Sequence, residues 1–325
     1  MLRSLETYRQ LFEQYLSSYE WMNTPDRLYE PLKYFMSLGG KRIRPSFTLL
    51  GCEMFGQKCE DALSASMSVE LFHNFSLIHD DIMDKARLRR GKSTVHVKYN
   101  PNQAILSGDV MLILAYKHLE HLSDFDKQRK ILSIFNETAQ FVCEGQQMDI
   151  DFEEDLEVSA EDYIEMITNK TAVLLGAALV IGAIIGGACE ENTKRLYEYG
   201  INIGIAFQIK DDLLDVFGNA DKTGKIQSGD IYQNKKTQLY IMARDRSNPA
   251  DQKRLKELYR TTERSPQKID EVVSIFNKYN IQNEVEQVIS EYLDRALRSL
   301  DGLKIDKPDK DYLIQLAYKM VRRSY

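Results

Sequence analysis

The chain has 325 residues, of which 43% are apolar and 28% are charged. This composition is typical of a globular protein with a large core, and it excludes a disordered or fibrous chain. The 43 lysines and arginines against 49 aspartates and glutamates give a formal net charge of -6. A nucleic-acid partner is therefore not expected, because such proteins are usually basic. The four cysteines have no paired short spacings, so we expect neither a disulfide framework nor a zinc site, and a cytoplasmic location.

Apolar residues recur mostly at three- and four-residue spacings, which predicts a helical protein. The first segment, MLRSLETYRQLFEQYL, follows this pattern and predicts an amphipathic helix rather than a secretory signal. Only seven prolines and 17 glycines interrupt the chain, and alternating strand patterns are scarce. No proline- or serine-rich linker divides the sequence. We therefore predict an all-α protein with one large helical domain over residues 1–325.

The segment from Ala172 to Cys189, AVLLGAALVIGAIIGGAC, has 18 residues without a charge, which is near the lower limit for a transmembrane helix. About half of these residues are small, which lets neighbouring helices approach closely, and no aromatic belt or basic flank borders the run. A membrane span and a buried central helix are both compatible with the pattern. We predict the buried helix and no transmembrane segment.

The pattern Asp-Asp-x-x-Asp occurs twice, as HDDIMD from His79 to Asp84 and as KDDLLD from Lys210 to Asp215. Each copy lies in an apolar-periodic stretch and is predicted at the C-terminal part of a helix. A helix C-terminus carries partial negative charge, so clustered carboxylates there require a compensating cation. A basic loop follows each copy. The two parts of the chain therefore carry matching chemistry.

Residues four apart share one face of a helix, so the first and last aspartates of each cluster are predicted to bind metal directly. The middle aspartates are rotated by about 100° per residue and are additional ligands or anchors for lysines and waters. Oxygen ligands without nearby cysteine favour magnesium over zinc. The complete predicted metal set is Asp80, Asp81, Asp84, Asp211, Asp212 and Asp215. For a single cluster, the alternative is a solvated acidic helix end.

Two basic segments accompany the first cluster. GGKRIRP, from Gly39 to Pro45, places three cations after a two-glycine turn, where backbone N–H groups and guanidinium groups can hold a diphosphate. The alternative is a polar loop before the next helix. RLRRGK, from Arg87 to Lys92, begins three residues after Asp84, which favours local charge pairing over a nucleic-acid or localisation patch.

The order of these motifs closely resembles that of the all-trans polyprenyl diphosphate synthases. The match runs from GGKRIRP through HDDIMD, RLRRGK, GQQMD, NKTAVLL and FQIKDDLLD to NKKT, and so spans nearly the whole chain. The resemblance implies an isoprenoid synthase-like fold with a deep central cavity, and a homodimer. It also implies condensation of isopentenyl diphosphate with an allylic diphosphate. Three magnesium ions would hold the allylic diphosphate.

The resemblance assigns roles to individual residues. The magnesium ligands would be Asp80, Asp84 and Asp211, with Asp81, Asp212 and Asp215 in support. The cations on the allylic diphosphate would be Arg89, Lys170, Lys225 and Lys235. The pocket for isopentenyl diphosphate would contain Lys41, Arg44, His73 and Arg90. Thr171 and Gln208 would line the reacting carbons, with Gln146 and Asp149 as a supporting polar pair. The residues expected to carry the chemistry are Asp80, Lys170, Thr171, Gln208 and Asp211.

Two departures from the family pattern lie in the loop after the second cluster. The stretch KIQSGD, from Lys225 to Asp230, is about one residue longer than usual, so the reach of Lys225 stays open. Asn234 replaces a glycine that is frequent before the loop lysine. For His73 and Gln208, a core histidine and a core amide are the alternatives.

Phe75 and Phe72 lie five and eight residues before Asp80, one or two helical turns below the predicted metal ligands. The resemblance implies that a bulky ring at the position of Phe75 closes the cavity in short-chain synthases. We expect a C15 to C20 product, with geranylgeranyl diphosphate preferred because Ser76 beside the ring is small. A longer-chain product, and a role in core packing alone, are the alternatives.

Two other functions are compatible with the fold. A terpene cyclase or diphosphate lyase usually keeps one aspartate cluster and lacks the second basic pocket, whereas both clusters and GGKRIRP are present here. A noncatalytic subunit of a heteromeric synthase would have lost its aspartates. The intact motifs therefore favour the prenyltransferase.

Overall fold

The computed structural model describes residues 2–22, 24–218, 228–261 and 265–322. Lys225 lies outside the described residues, so the structure says nothing about its position. Within these ranges the chain is helical apart from loops and one two-stranded hairpin, and the all-α prediction is confirmed.

In chain order the first helices are α1 (Leu5–Ser18), α2 (Asp26–Ser37), α3 (Ile43–Met54), α4 (Leu63–Met83), α5 (Val95–Lys98), α6 (Pro101–Glu120), α7 (Phe125–Asp151) and α8 (Ala160–Ile167). They are followed by α9 (Val173–Gly186), α10 (Glu190–Phe217), α11 (Gly229–Tyr232), α12 (Gln238–Arg246), α13 (Pro249–Leu258), α14 (Pro266–Lys278), α15 (Ile281–Ser299) and α16 (Lys307–Val321). A 3₁₀ turn at Cys59–Ala62 precedes α4, and a π-helical turn at Thr168–Ala172 joins α8 to α9. The antiparallel hairpin consists of β1 (Leu88–Arg89) and β2 (Lys92–Ser93).

Local sequence signals explain several helix starts. The side chain of Ser4 accepts a hydrogen bond from a backbone N–H in the first turn of α1, and Asn100 does the same for α6, whose first residue is Pro101. Ser159 and Asp162 form a reciprocal capping box at the start of α8. These caps satisfy N–H groups that have no partner inside the helix, which stabilises each helix start by about 1 kcal/mol.

The described helices belong to two compact units. The first comprises Met1–Thr138, Leu174–Tyr197 and Leu303–Tyr312, and the second comprises Ala139–Val173, Glu198–Gly302 and Leu313–Tyr325. The prediction of one domain over residues 1–325 stays a prediction.

Helix α4 forms the core of the first unit, where it packs against α3 and α6. Every residue from 65 to 72 of α4 is buried, including Met67, Val69 and Leu71, so its middle part has no solvent-exposed face. A helix that is apolar on most sides is typical of such a central position. Its C-terminal end is less buried, and this end carries the first aspartate cluster.

Small residues let α9 lie very close to α3 in the first unit. A side chain at Gly182 would overlap the backbone carbonyl of Thr48, and one at Gly51 would overlap the carbonyl of Leu179. The continuous helix Ala160–Gly186 is, within the described residues, the one long and apolar enough to cross a membrane, but 83% of its most apolar 18-residue window is buried. A core helix passes the same test of length and composition. This burial agrees with the predicted central helix.

In the second unit, α12 packs against α8 and the C-terminal helices α13, α14 and α15. Its residues Leu239, Tyr240 and Ile241 are buried. Arg244 on the same helix donates hydrogen bonds to the backbone carbonyls of Leu156 and Val158 at 3.0 and 2.9 Å. The loop between α7 and α8 is therefore held against α12.

His118 on α6 is a buried histidine outside the aspartate clusters. Its Nδ1 lies 3.2 Å from the hydroxyl of Ser64, and its buried Nε2 has no hydrogen-bond partner within the described part of the chain. Burial, with a smaller contribution from His121, lowers the pKa of His118 to about 4. His118 is therefore protonated at a higher pH in the unfolded chain than in the folded protein. As a result, the free energy of unfolding falls as the pH falls from 6.5 towards 4.

We expect the His118→Asn variant to lose less stability on acidification than the unaltered protein. One pKa unit corresponds to about 1.4 kcal/mol, so the difference in unfolding free energy between pH 7 and pH 5 should be smaller by about 2 kcal/mol in the variant. Urea unfolding at the two pH values measures this difference. An equal loss in both proteins would show that His118 does not titrate as described.

Candidate active site

The first aspartate cluster lies at the C-terminal end of α4, as predicted. Asp80 and Asp81 are in the last turn of the helix, and Asp84 is the residue that follows it. Asp81 is 1% exposed, whereas Asp80 and Asp84 are partly exposed. The partial negative charge of the helix end disfavours three carboxylates there, so the cluster is suited to cation binding.

Arg89 is a cation that pairs with this cluster. The hairpin turns at Arg90 and Gly91, which have positive φ angles of 53° and 72°, as a tight two-residue turn requires. The Nε of Arg89 lies 2.9 Å from both carboxylate oxygens of Asp81, and its Nη2 lies 3.7 Å from Asp80. Burial raises the pKa of Asp81 above its ordinary value although Arg89 lowers it in part. The local charge pairing expected from the sequence is observed, and Asp81 anchors Arg89.

Arg44 and His73, both predicted for the second substrate, are in contact in the first unit. The Nη1 of Arg44 lies 3.1 Å from the Nε2 of His73. Because a guanidinium group only donates hydrogen bonds, His73 accepts at Nε2 and carries its proton on Nδ1. Burial and then the charge of Arg44 lower the pKa of His73 well below its ordinary value, so the ring is neutral.

The same region of the first unit concentrates positive charge. The guanidinium group of Arg90 lies against Gly40, where an added Cβ would be 3.0 Å from Nη2. The Nε of Arg44 is buried and has no hydrogen-bond partner in the described residues, and burial lowers the pKa of Arg44 to about 10. At neutral pH Arg44 is still charged, so this cluster favours an anionic ligand. Lys41 is exposed on the turn before α3.

Arg42, the remaining cation of GGKRIRP, has a structural role instead. Arg42 is 3% exposed, with its Nε 2.8 Å from Glu13 and its Nη1 2.6 Å from Glu70. It also donates to the backbone carbonyl of Met36 at 2.9 Å. Arg42, which the resemblance did not assign to a substrate, therefore pairs with acceptors of the first unit.

The second aspartate cluster lies in the last two turns of α10, again as predicted. Asp211 and Asp215 are partly exposed, and Asp212 is 7% exposed. The Oδ2 of Asp215 accepts the backbone N–H of Asp230 at 3.0 Å, and its carbonyl oxygen accepts the N–H of Ser228 at 2.8 Å. Asp215 therefore also holds the start of α11.

Asp212 is the most enclosed member of the second cluster. Its Oδ2 accepts the hydroxyl of Tyr163 at 2.5 Å, and its Oδ1 accepts the amide Nε2 of Gln208 at 2.9 Å. Gln208 in turn accepts the hydroxyl of Thr171 at 3.2 Å. Burial raises the pKa of Asp212 to about 7, against the lowering effect of both hydrogen bonds. Thr171 and Gln208, predicted as a pair, are thus in direct contact.

Lys170 and Lys235 converge on one carboxylate in the second unit. The Oδ2 of Asp149 lies 2.7 Å from the Nζ of Lys170 and 2.8 Å from the Nζ of Lys235. Burial by itself would raise the pKa of Asp149, but the two lysines outweigh it and lower that pKa. Asp149 therefore aligns two cations that come from distant parts of the chain, while Gln146, one turn earlier on α7, is partly exposed.

The π-helical turn at Thr168–Ala172 sets the direction of Lys170 and Thr171. Such a turn inserts an extra residue into a helix and is frequent at functional sites. It lies against α7 so closely that a side chain at Gly145 would overlap the backbone nitrogen of Lys170. This approach brings Lys170 within reach of Asp149.

The loop before Lys235 explains one departure from the family pattern. Asn234 has a φ of 60°, in the left-handed region that glycine and asparagine adopt most readily. Its Nδ2 donates to the carbonyl of Thr261 at 3.0 Å, and its Oδ1 accepts from Lys268 at 2.5 Å. Asparagine therefore supplies the backbone conformation of a glycine and two additional hydrogen bonds.

Phe72 and Phe75 lie on one face of α4, with ring centroids 5.7 Å apart. Phe75 is partly exposed and contacts the ring of His79 at 4.8 Å. Phe72 is 1% exposed and packs on Phe135 of α7 at 5.3 Å. Phe75 can thus contact a ligand, and Phe72 supports it from the core.

A pocket of about 640 Å³ lies beside the Asn234 loop in the second unit. Its lining includes Glu153, Glu154 and Glu157 but, in the described residues, a single cation, Arg260. This excess of negative charge does not suit a diphosphate.

The carboxylates of the two clusters suit magnesium by their chemistry. Among the described residues, no three His, Cys, Asp or Glu side chains are grouped as a complete metal site. Magnesium does not require one, because it is usually bound by one or two carboxylates, waters and substrate phosphates. The partly exposed aspartates of both clusters fit that mode.

Comparison with known proteins adds to this geometry. A family model described as Polyprenyl synthetase matches residues 25–276. The chain belongs to the polyprenyl synthetase family. A geranylgeranyl diphosphate synthase of Methanosarcina mazei is 35% identical to this polyprenyl synthetase over 302 residues, which cover 93% of the chain and 91% of that protein. A crystal structure of a geranylgeranyl pyrophosphate synthase has a TM-score of 0.94, at 40% identity and with 100% of both chains covered.

The relatives of this polyprenyl synthetase differ in the product that their names state. A geranylfarnesyl diphosphate synthase of Natronomonas pharaonis is 38% identical over 255 residues, which cover 73% of the chain and 74% of that protein. Similarity therefore identifies a prenyltransferase of a family that uses isopentenyl and allylic diphosphates with magnesium. This similarity does not determine the length of the product.

Sequence reasoning about this polyprenyl synthetase missed Tyr163. The residue lies on α8, four positions after Ser159 and eight before Thr171. The sequence pattern around it predicts an ordinary amphipathic helix. Its hydroxyl partner, Asp212, is far away in the sequence. No local signal distinguishes such a tyrosine from a core residue.

We expect Gly145→Ala to destabilise the protein by about 2 kcal/mol, because the new Cβ overlaps backbone that cannot rotate away. Gly229→Ala is the matched control, since among the described residues the nearest atom to an added Cβ there is Oδ1 of Asp215, at 3.5 Å. Urea unfolding of both variants measures the effect. If the two variants were equally stable, close contact between α7 and the π-helical turn would not be required.

Proposed function

We propose that this chain is a short-chain trans-prenyltransferase that joins isopentenyl diphosphate head-to-tail to an allylic diphosphate. The proposed product is an all-trans C15 to C20 prenyl diphosphate, with geranylgeranyl diphosphate preferred, and diphosphate is released. The observation that carries the proposal is the convergence of Lys170 and Lys235 on Asp149 in a polyprenyl synthetase chain with two aspartate clusters.

The proposed magnesium ligands are Asp80, Asp84 and Asp211, which would hold three ions together with the allylic diphosphate. Asp81, Asp212 and Asp215 support them. Bound magnesium neutralises the negative charge that grows on the departing diphosphate. Arg89, Lys170 and Lys235 donate charge-assisted hydrogen bonds to the same group, and Lys225 is proposed as a further cation.

Ionisation is the proposed first step. The bond between the allylic carbon and the diphosphate oxygen breaks, and its electron pair leaves with the diphosphate. Donors fixed in advance lower the barrier because they need no reorientation as charge develops. The oxygen atoms of Thr171 and Gln208 are proposed to stabilise the allylic cation that remains.

Condensation with the second substrate is the proposed second step. Lys41, Arg44, His73 and Arg90 are proposed to bind the diphosphate of isopentenyl diphosphate, and the contact between Arg44 and His73 supports this. The alkene electron pair forms the new carbon–carbon bond. A proton then leaves to the released diphosphate, which regenerates an allylic diphosphate longer by one C5 unit.

The chain is further proposed to act in the cytoplasm as a homodimer. Helix α6 exposes Ile105, Leu106 and Ile113 on one face, at 43%, 56% and 56% exposure. Burial against a second copy would remove this apolar surface from water. Light scattering after size-exclusion chromatography measures the mass in solution.

The activity is tested by incubating the purified protein with magnesium, radiolabelled isopentenyl diphosphate and C5, C10 or C15 allylic diphosphates. Products are dephosphorylated and their alcohols sized. Label should enter prenyl products up to C20. Release of hydrocarbon without incorporated label would indicate a cyclase or lyase instead, and a complete lack of turnover would indicate a noncatalytic subunit.

We expect Asp80→Ala and Asp211→Ala each to lower kcat by about a hundredfold or more at saturating magnesium, because each removes a proposed ligand for the charge-neutralising ions. Asp126→Ala is the control, since Asp126 is an exposed carboxylate at the start of α7. Near-normal condensation by either cluster variant would contradict the proposed metal role.

We expect Phe75→Ala to lengthen the product to C25 or beyond. Each added isoprene unit that enters apolar surroundings gains roughly 4 kcal/mol, so only a steric stop prevents further elongation. Phe55→Ala removes a similar, partly exposed ring from the end of α3 and should leave the product unchanged. An unaltered product distribution in Phe75→Ala would show that this ring only packs the core.

A further inference from the structure

A continuous hydrogen-bonded chain connects a buried tyrosine to the predicted polar pair. It runs from the hydroxyl of Tyr163 to Oδ2 of Asp212 at 2.5 Å, from Nε2 of Gln208 to Oδ1 of Asp212 at 2.9 Å, and from the hydroxyl of Thr171 to Oε1 of Gln208 at 3.2 Å. Tyr163 is 1% exposed and Asp212 is 7% exposed. All four residues belong to the second unit.

The direction of each hydrogen bond follows from chemistry. A tyrosine hydroxyl keeps its proton at neutral pH, so Tyr163 donates to Oδ2 of Asp212. Nε2 of Gln208 lies 2.9 Å from Oδ1 of Asp212, so the NH₂ group donates to that oxygen. At the other end of the amide, the hydroxyl of Thr171 donates to Oε1 of Gln208. The amide oxygen of Gln208 therefore lies towards Thr171.

We propose that Tyr163 is a positioning residue for the transfer reaction: its hydroxyl holds Asp212, and Asp212 holds the Gln208 amide with its oxygen on the side of Thr171. The inference rests on the proposed function, in which Thr171 and Gln208 face the reacting carbons. Because Tyr163 is 1% exposed, we assign it no direct contact with substrate or magnesium.

This arrangement gives Asp212 a different task from Asp211. Both oxygens of Asp212 are used by Tyr163 and Gln208, so it orients a neighbouring side chain rather than acting first as a metal ligand. An amide oxygen and a hydroxyl oxygen that are held in place carry partial negative charge towards an allylic cation. Loss of the Tyr163 hydroxyl leaves one oxygen of Asp212 without its donor and allows the carboxylate and Gln208 to turn.

Tyr163→Phe is the decisive variant because it removes one oxygen atom and keeps the ring. We expect kcat to fall about tenfold, as is usual when the partner that orients a catalytic group is removed. KM for isopentenyl diphosphate should stay within about twofold, because the residues proposed for that substrate lie in the first unit.

Tyr199→Phe is the matched control. Tyr199 is fully buried on α10, and its hydroxyl donates to the backbone carbonyl of Leu313 at 2.6 Å, also in the second unit. This variant loses an equally buried hydroxyl and should lose comparable stability, but its kcat should stay within about twofold. If both variants lost kcat equally, Tyr163 would have a structural role only and the proposal would be wrong.

Coupling between the residues gives a readout that needs no activity. Tyr163→Phe, Gln208→Leu and the double variant are compared by urea unfolding of the magnesium-free protein. We expect the double variant to be clearly more stable than the sum of the single losses predicts, because either change already disrupts the contacts of Asp212. Additive losses would overturn the proposed connection.

Asp212→Asn provides a second route if Tyr163→Phe folds poorly. It keeps the side-chain size but replaces one acceptor with a donor, so it should lower kcat about as much as Tyr163→Phe. Adding Tyr163→Phe to it should cause little further loss.

If the unaltered protein does not incorporate isopentenyl diphosphate at all, the proposed function fails, whereas the unfolding cycle still decides whether Tyr163 and Gln208 are coupled.

Discussion

Buried carboxylates that must be matched by donors control the geometry of the candidate active site. A carboxylate removed from water without a partner costs several kcal/mol, so each one forces specific donors into place. Asp81 has Arg89, Asp149 has two lysines, and Asp212 has a tyrosine and an amide. The carboxylates are thus more than potential metal ligands, because they also determine where the neighbouring cations and polar groups lie.

The pairs with lysine and arginine have a consequence for substrate binding. A cation that is already held by a carboxylate loses less side-chain entropy when an anion arrives. Asp149 holds Lys170 and Lys235 close to each other in spite of their mutual repulsion. In the first unit, by contrast, Arg44 contacts a neutral His73, so its full positive charge stays available to an anion.

Close helix packing is a second feature of both units. The glycines on α3 and α9, and Gly145 on α7, remove the side chains that would keep backbones apart. The same small residues made the segment from Ala172 to Cys189 resemble a membrane span by composition. The structure buries this helix instead, since apolar surface that is covered by neighbouring helices needs no lipid.

The sequence by itself determined the helical class, the two aspartate clusters at helix ends and the charge pairing of the RLRRGK segment with the first cluster, because all three depend on spacings of a few residues. Through a resemblance of motifs it also placed Thr171 and Gln208 together as a polar pair, and the structure shows that they are in contact. Only the tertiary structure decided that Arg42 pairs with Glu13 and Glu70, and that Tyr163 holds Asp212. Those partners are distant in the chain, and burial, which makes an unmatched charge or hydroxyl costly, exists only after the helices have packed.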